Sequence, residues 1–184
     1  MERLANKKIT LDKMHGSRGS GLEKIINYTI EYYREKNLAL IQKIPTPIIP
    51  MKYSKDKKLI SLARFDKKST VDYIGVVQEV AVCFDAKECE QNRFPLKNVH
   101  AHQYKFMKDF DLQGGVSFLI INLKKEEKYY YMRFKELDAF WNRGIKGEIM
   151  SIKSSELDDD YFFDIKPNGI LPILDMIQKD ISSR

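Results

Sequence analysis

VDYIGVVQEVAVCFDAKE, residues 71–88, contains two β-rich runs that are separated only by Gln78-Glu79. This pattern predicts an antiparallel hairpin whose strands cover 71–77 and 80–88. Gln-Glu is not favoured turn chemistry, so a loop longer than two residues remains an alternative. We expect the hairpin to belong to the sheet that carries the functional residues.

Two aspartates and a lysine occupy defined positions on this hairpin. With Gln78 and Glu79 at the centre of the turn, the register places Asp72 directly opposite Asp85. Because side chains alternate along a strand, Asp85 and Lys87 point to one face. The apolar residues of the same strand point to the other face, which we expect to be the core.

The opposed carboxylates favour a metal site. Like charges directly across a strand pair destabilise a sheet unless something positive lies between them. Mg²⁺ takes oxygen ligands from one or two carboxylates and leaves positions for water and substrate phosphate. Lys87 would then stabilise developing negative charge or orient the attacking water. The three residues therefore predict phosphodiester hydrolysis, although a solvated strand edge with an ordinary Asp–Lys ion pair explains the same spacing.

Length and charge are consistent with one basic domain. The chain has 184 residues, 43% of them hydrophobic, which is the size of a single compact core. Its net charge of +6 is expected of a nucleic-acid binder, although charge alone does not single out that function. The chain contains no apolar run of about 18 residues, and its first residues lack the apolar centre of a secretory signal. We therefore expect a cytoplasmic protein with no membrane segment.

Helical and extended patterns surround the hairpin. Residues 1–17 are polar and basic and are interpreted as a flexible arm, followed by a single domain over 18–184. An apolar stripe predicts a first helix from Ser20 to Lys36-Asn37. Other predicted strands cover 38–44, 59–65, 116–123 and 129–134, and other predicted helices cover 99–110, 137–141 and 171–181. This order indicates an α/β fold with a mixed sheet flanked by helices.

Several other groups have simpler interpretations than a site. Cys83 and Cys89 are expected to be free thiols, and zinc binding with His100 and His102 is not favoured, because the two histidines should not share a helix face. The Tyr129–Tyr131 run is expected to pack in the core more than to stack on bases. The acidic residues 158–160 are interpreted as a solvated loop.

A resemblance to a known family covers nearly the whole chain. The segments STVDYIG at 69–75, FDAKE at 84–88, FPLKN at 94–98 and HAHQ at 100–103 resemble the RecU-type Holliday junction resolvases. Further similar segments follow the same order, namely Arg18-Gly19, Glu23, KIPTP at 43–47, QGG at 113–115, YYY at 129–131 and FWNR at 140–143.

The resemblance implies a restriction-endonuclease-like fold with a mixed central sheet, flanking helices and a projecting stalk. It also implies a homodimer that nicks a four-way junction symmetrically with Mg²⁺ or Mn²⁺, in recombination and repair. By matched position, Asp72 and Asp85 would be metal ligands and Lys87 the catalytic lysine. Gln103 would lie near the site, and Glu23 would be an acidic residue at the metal.

The stalk corresponds to residues 48–58, which the sequence alone describes as a projecting loop or a narrow hairpin. The resemblance implies that it enters the junction centre and that basic side chains contact DNA phosphates. The expected DNA-binding residues are Arg18, Lys43, Lys52, Lys55, Lys57 and Lys58.

Two departures from the family pattern concern the site itself. Asp85 stands where the family usually has glutamate, and Val71 stands where it usually has threonine. We expect activity to survive the shorter acid. A nuclease for other duplex or flapped DNA, and a non-cleaving junction binder that regulates a recombinase, remain alternatives. A recombinase or a branch-migration helicase is the expected kind of protein partner.

Overall fold

The computed structural model describes residues 20–54, 59–66 and 70–184. Its helices are α1 (Ser20–Glu35), α2 (Ala101–Leu112), α3 (Phe134–Ile145) and α4 (Ile173–Ser182). Its strands are β1 (Leu40–Lys43), β2 (Ile48–Ser54), β3 (Leu59–Phe65), β4 (Tyr73–Val77), β5 (Val80–Cys89), β6 (Arg93–Pro95), β7 (Val116–Leu123), β8 (Lys128–Arg133), β9 (Ser151–Lys153) and β10 (Phe162–Phe163). The predicted arm over 1–17 and the predicted DNA contacts Arg18, Lys55, Lys57 and Lys58 lie outside the described residues.

A six-stranded mixed sheet forms the centre of the molecule, in the order β1-β4-β5-β7-β8-β10. Strands β5 and β7 are parallel, and the other neighbouring pairs are antiparallel. The parallel pair requires a crossover between β5 and β7, and this crossover contains α2. The expected mixed sheet flanked by helices is confirmed.

Helix α1 forms because its apolar residues recur at helical spacing. Leu22, Ile26, Ile30 and Tyr33 are all buried against the sheet. The helix ends before Asn37, whose φ of 55° is left-handed and cannot continue it. The start and the end of the predicted first helix are therefore confirmed within two residues.

Both faces of β5 are covered, which corrects the expectation that one face is core and the other is free for chemistry. On one face, the rings of Tyr73, Phe84, Phe118 and Tyr131 stack across four strands at centroid distances of 4.7, 4.7 and 4.3 Å. On the other face, Cys83 is fully buried as well. Helix α2 covers this second face, so the polar end of the strand opens to solvent only beyond Asp85.

Strands β2 and β3 form a separate antiparallel ribbon, defined here as the described residues 48–54 and 59–65. Every residue of β3 is exposed. The segment 59–65 therefore belongs to the same projection as 48–54, and the projection is longer than the predicted 48–58. Lys52 lies exposed on β2.

The sequence patterns did not predict the shortest strands, and they underestimated the length of one helix. Strands β6, β9 and β10 were not predicted, because two or three residues are too few to show a period. Helix α3 is longer than the predicted 137–141 and begins at Phe134. Among the described helices, none has the length and apolar character that crossing a membrane requires.

Candidate active site

A tight turn fixes the relative position of the two aspartates. Val77 pairs with Val80, and Tyr73 pairs with Phe84, so the connection is the two-residue turn and not a longer loop. Gln78 and Glu79, at the centre of that turn, have φ values of 44° and 75°. Positive φ at both positions matches the twist of the flanking strands, although Asn and Gly are the residues that usually supply it.

The predicted opposition of Asp72 and Asp85 is found in the structure. The Asp72 backbone N–H donates to Asp85 Oδ1 at 2.9 Å, and the Ala86 N–H donates to Asp72 Oδ2 at 3.0 Å. Asp72 lies one residue before β4, at the position where the chain enters the ladder. Each carboxylate therefore accepts a backbone hydrogen bond from the partner strand, and the two acids are held side by side.

Asp85 is fully buried, whereas Asp72 is half-buried. The pKa of Asp85 is raised to about 7, mainly by burial; Lys87 lowers the pKa and the neighbouring Asp72 raises it. Lys87 Nζ contacts Asp85 Oδ2 directly, with only 16% of its side chain exposed. The ammonium group is therefore the positive charge that stands beside the carboxylate pair.

Gln103 connects the catalytic candidates to helix α2. Its Nε2 donates to Asp85 Oδ2 at 2.9 Å, and its Oε1 accepts from the His100 N–H at 3.0 Å and from Lys87 Nζ at 3.3 Å. The side chain is buried, and it caps the first turn of α2 at the same time. The crossover helix thus holds both Asp85 and Lys87 in place.

Glu23 and Lys43 lie side by side in the structure, although the family resemblance implied that Glu23 contacts a metal and that Lys43 contacts DNA. Glu23 Oε2 lies 2.7 Å from Lys43 Nζ, across the space between α1 and β1. Both side chains are about 40% exposed (41% for Lys43 and 39% for Glu23), so the pair is accessible from solvent. The roles of Glu23 at a metal and of Lys43 on DNA remain predictions.

An open cleft of ≈370 Å³ lies at the carboxyl end of β5. Its lining consists of Leu22, Glu23, Ala86, Lys87, Glu88, Lys97, Asn98 and His100. Glu23 and Lys87 therefore share one cavity, and Lys87 reaches both this cavity and Asp85.

Sequence reasoning missed Glu88, which fastens α1 to β5. Glu88 Oε1 accepts from the Leu22 N–H at 3.1 Å, and Oε2 lies 2.8 Å from Lys124 Nζ. A carboxylate at this helix start also interacts favourably with the helix dipole. Alternation along β5 could have placed Glu88 on the face opposite to Lys87, but it could not have identified α1 as the element that covers that face.

The remaining sequence interpretations have mixed outcomes. Cys83 and Cys89 are free thiols and are buried. Tyr130 and Tyr131 are fully buried, as expected for core packing. The expectation that His100 and His102 do not share a face was wrong, because their rings stack with centroids 5.4 Å apart. His100 is the N-cap of α2 and lies before its first helical residue.

Two further positions differ from what the residue type suggested. Asp158 is not simply solvated, because it pairs with Arg133 Nη2 at 2.9 Å and caps a short 3₁₀ turn. Val71 is fully buried and apolar, so it acts as a core residue immediately before Asp72.

The donor set of Asp72 and Asp85 fits a hard divalent cation. Across the described residues, no cluster of three or more His, Cys, Asp and Glu side chains is present, so two carboxylates are the available protein ligands. Mg²⁺ is commonly bound through one or two carboxylates together with water and substrate phosphate. Asp72 Oδ2 accepts from the Ala86 N–H, and no described residue donates a hydrogen bond to Asp72 Oδ1, which leaves that oxygen available to a cation.

Comparisons with known proteins point to one family. The family model described as "Recombination protein U" matches residues 17–179. The Holliday junction resolvase RecU of Pediococcus pentosaceus is 34% identical, over 98% of this chain and 92% of the relative. The RecU resolvase of Listeria innocua is 37% identical, over 96% of this chain and 89% of the relative.

A solved structure of the Holliday junction resolvase Hjc from Archaeoglobus fulgidus also matches part of the fold. It is 10% identical with a TM-score of 0.39, covering 65% of this chain and 75% of that chain.

Proposed function

Because this chain belongs to the Recombination protein U family, we propose that it is a Holliday junction resolvase, an endonuclease that nicks four-way DNA junctions by metal-dependent phosphodiester hydrolysis. The observation that carries the proposal is the joined arrangement of Asp72, Asp85, Lys87 and Gln103 at the end of β5. Family membership supplies the substrate, and the arrangement supplies the chemistry.

Asp72 and Asp85 would hold Mg²⁺, with Mn²⁺ as a substitute. When bound, such an ion polarises a phosphate oxygen and lowers the pKa of bound water. Asp72 has an oxygen to which no described residue donates, whereas Asp85 is surrounded by donors and is fixed in one orientation. The first acid therefore provides the accessible ligand and the second provides the rigid one.

Lys87 would stabilise the negative charge that develops on the phosphate. Its contacts with Asp85 and Gln103 keep its ammonium group beside the carboxylates, in a position with little exposure to solvent. A fixed positive charge in such a position stabilises a transition state more strongly than one in bulk water. Glu23, which opens into the same cleft as Lys87, would be an acidic residue near the metal and not a direct third ligand, because the described residues form no three-ligand cluster.

A homodimer would cut both strands of the junction symmetrically. A four-way junction has two-fold symmetry, and a two-fold dimer places two sites at a fixed separation. The exposed ribbon would be the stalk that enters the junction centre. Lys52 on this ribbon and Lys43 on β1 would contact DNA phosphates. On this proposal the enzyme would act on DNA in the cytoplasm, with a recombinase or a branch-migration helicase as its partner.

The proposal is tested with an end-labelled synthetic four-way junction and a linear duplex of the same arm sequence. Each is incubated with Mg²⁺, Mn²⁺ or EDTA, using wild type, Asp85→Asn and the matched control Asp159→Asn, which changes an exposed acid. We expect paired symmetric nicks in the junction only, lost with EDTA and reduced by about 10²-fold or more in Asp85→Asn. The control should cleave as wild type does.

The outcomes separate the competing functions. Tight junction binding without nicks in either metal would overturn the proposal in favour of a non-cleaving binder. Equal cleavage of the duplex would favour a nuclease for other DNA. Nicks that persist in Asp85→Asn would show that the carboxylate pair is not the catalytic centre.

A further inference from the structure

The cleft beside Lys87 has a wall formed by the 3₁₀ turn Leu96–Asn98, to which no function has been assigned. Lys97 and Asn98 line this cleft together with Glu23 on α1 and Glu88 on β5. Lys97 is exposed and Asn98 is half-buried. The cleft volume of ≈370 Å³ lies within the range of about 300–1,000 Å³ that is usual for ligand sites.

The wall is held rigidly. Leu96 and Val99, on either side of the two polar residues, have 0% and 2% exposure. The Leu96 N–H donates to the Met150 carbonyl oxygen at 3.0 Å, and the preceding strand β6 pairs with β9. Lys97 therefore extends from a fixed backbone, and binding a ligand requires ordering of its side chain only.

Three acids in or beside the cleft are paired with lysines, whereas Asp72 and Lys97 make no ion pair with any described residue. The acids Glu23, Asp85 and Glu88 are matched by Lys43, Lys87 and Lys124 respectively. Within the described residues, Lys97 makes no ion pair. Its ammonium group is therefore available to an incoming anion, whereas the ammonium groups of Lys43, Lys87 and Lys124 already contact carboxylates.

We propose that this wall is a DNA-binding subsite, in which Lys97 contacts a backbone phosphate of the cleaved strand next to the scissile one and Asn98 donates to the same phosphate or its sugar. The inference rests on the proposed function, since it names the strand that the cleft receives. Phosphate contacts position a nucleic acid without reading its sequence, so the subsite sets where the scissile phosphate lies relative to Lys87.

Salt dependence of junction binding tests the subsite. The variants are Lys97→Gln, Lys97→Arg and the control Lys105→Gln, which removes the same charge from an exposed lysine that is already paired with Asp109. Binding is measured without divalent metal, as log K against log salt concentration. Each phosphate contact contributes about −0.9 to the slope, so Lys97→Gln should reduce its magnitude by about 1 per protomer. Lys97→Arg and Lys105→Gln should retain the wild-type slope.

A second measurement locates the phosphate. Junctions carry a single neutral methylphosphonate at successive positions near the nick. A methylphosphonate at one position next to the scissile phosphate should lower the affinity of wild type several-fold. The same replacement should not lower the affinity of Lys97→Gln, because that variant lacks the side chain that contacts this phosphate. An unchanged slope in Lys97→Gln, an equal change in Lys105→Gln, or equal losses for both proteins at every position would overturn the subsite. Absence of nicks by wild type would instead overturn the proposed function.

Discussion

Gln103 is expected to orient Asp85 and Lys87, and replacing it should show how much this orientation contributes to stability and to cleavage. Gln103→Met retains an unbranched side chain of similar length and removes all three hydrogen bonds. The lost bond to the Asp85 carboxylate is worth about 1.5–3 kcal/mol, and leaving the His100 N–H without its acceptor costs about 1–3 kcal/mol. Packing of the apolar methionine offsets part of this loss. We therefore expect the free energy of unfolding to fall by about 2–4 kcal/mol.

The assay is urea unfolding in EDTA, followed by single-turnover junction cleavage at saturating Mg²⁺. Cleavage should fall by about 10- to 100-fold, because Asp85 and Lys87 both lose a group that orients them. The same substitution at the exposed C-cap residue, Gln113→Met, is the matched control and should change stability by less than about 0.5 kcal/mol.

A third variant separates the hydrogen bond that Gln103 donates to Asp85 from those that it accepts from His100 and Lys87. Gln103→Glu keeps an oxygen for the His100 N–H and for Lys87 but cannot donate to Asp85 when it is ionised, and it adds a negative charge beside a buried acid. It should therefore be at least as inactive as Gln103→Met. Wild-type unfolding and wild-type cleavage in Gln103→Met would refute the view that this residue orients the site.

Three further predictions concern the hairpin, the core and the thiols. The double change Gln78→Asn with Glu79→Gly should raise the free energy of unfolding by about 1–2 kcal/mol in urea titrations without loss of cleavage, because it relieves two left-handed residues. A decrease in stability would contradict this view of the turn. Phe118→Ala should cost about 3–5 kcal/mol in the same titration, since the ring lies between two others in the four-ring stack; a loss under about 1 kcal/mol would argue against that stack. Burial raises the pKa of Cys83 to about 12, so this thiol should remain protonated and unreactive to iodoacetamide at pH 8 in the native protein and react after unfolding, and native alkylation at Cys83 would disprove its burial.

The site was predictable where local register determines it. A two-residue turn between two β-rich runs is sufficient to place Asp72 beside Asp85, and alternation along β5 is sufficient to place Lys87 on the same face. The turn chemistry argued for a longer loop, but the register of the two strands, which buries Tyr73 and Phe84 on one face, outweighed the cost of two positive φ values.

Contacts between distant segments could not be predicted in the same way. The Glu23–Lys43 pair, the Glu88–Lys124 pair and the position of Lys97 depend on how α1, the β7–β8 turn and the β6–β9 pair pack around the end of β5. No periodicity in the sequence encodes those distances, because each partner lies on a different element.

These long-range ion pairs explain how a small domain keeps so many charges around one cleft. Three acids that line the cleft or adjoin it have a lysine partner: Glu23 has one from β1, Asp85 has one from β5 itself, and Glu88 has one from the β7–β8 turn. A buried or half-buried carboxylate without such a partner would destabilise the fold. The pairing therefore stabilises Glu23, Asp85 and Glu88 in the folded protein without a bound metal. Lys97 is the lysine that lines the cleft without an ion pair to a described residue, so in the proposed subsite its charge is the one that would contact the phosphate backbone.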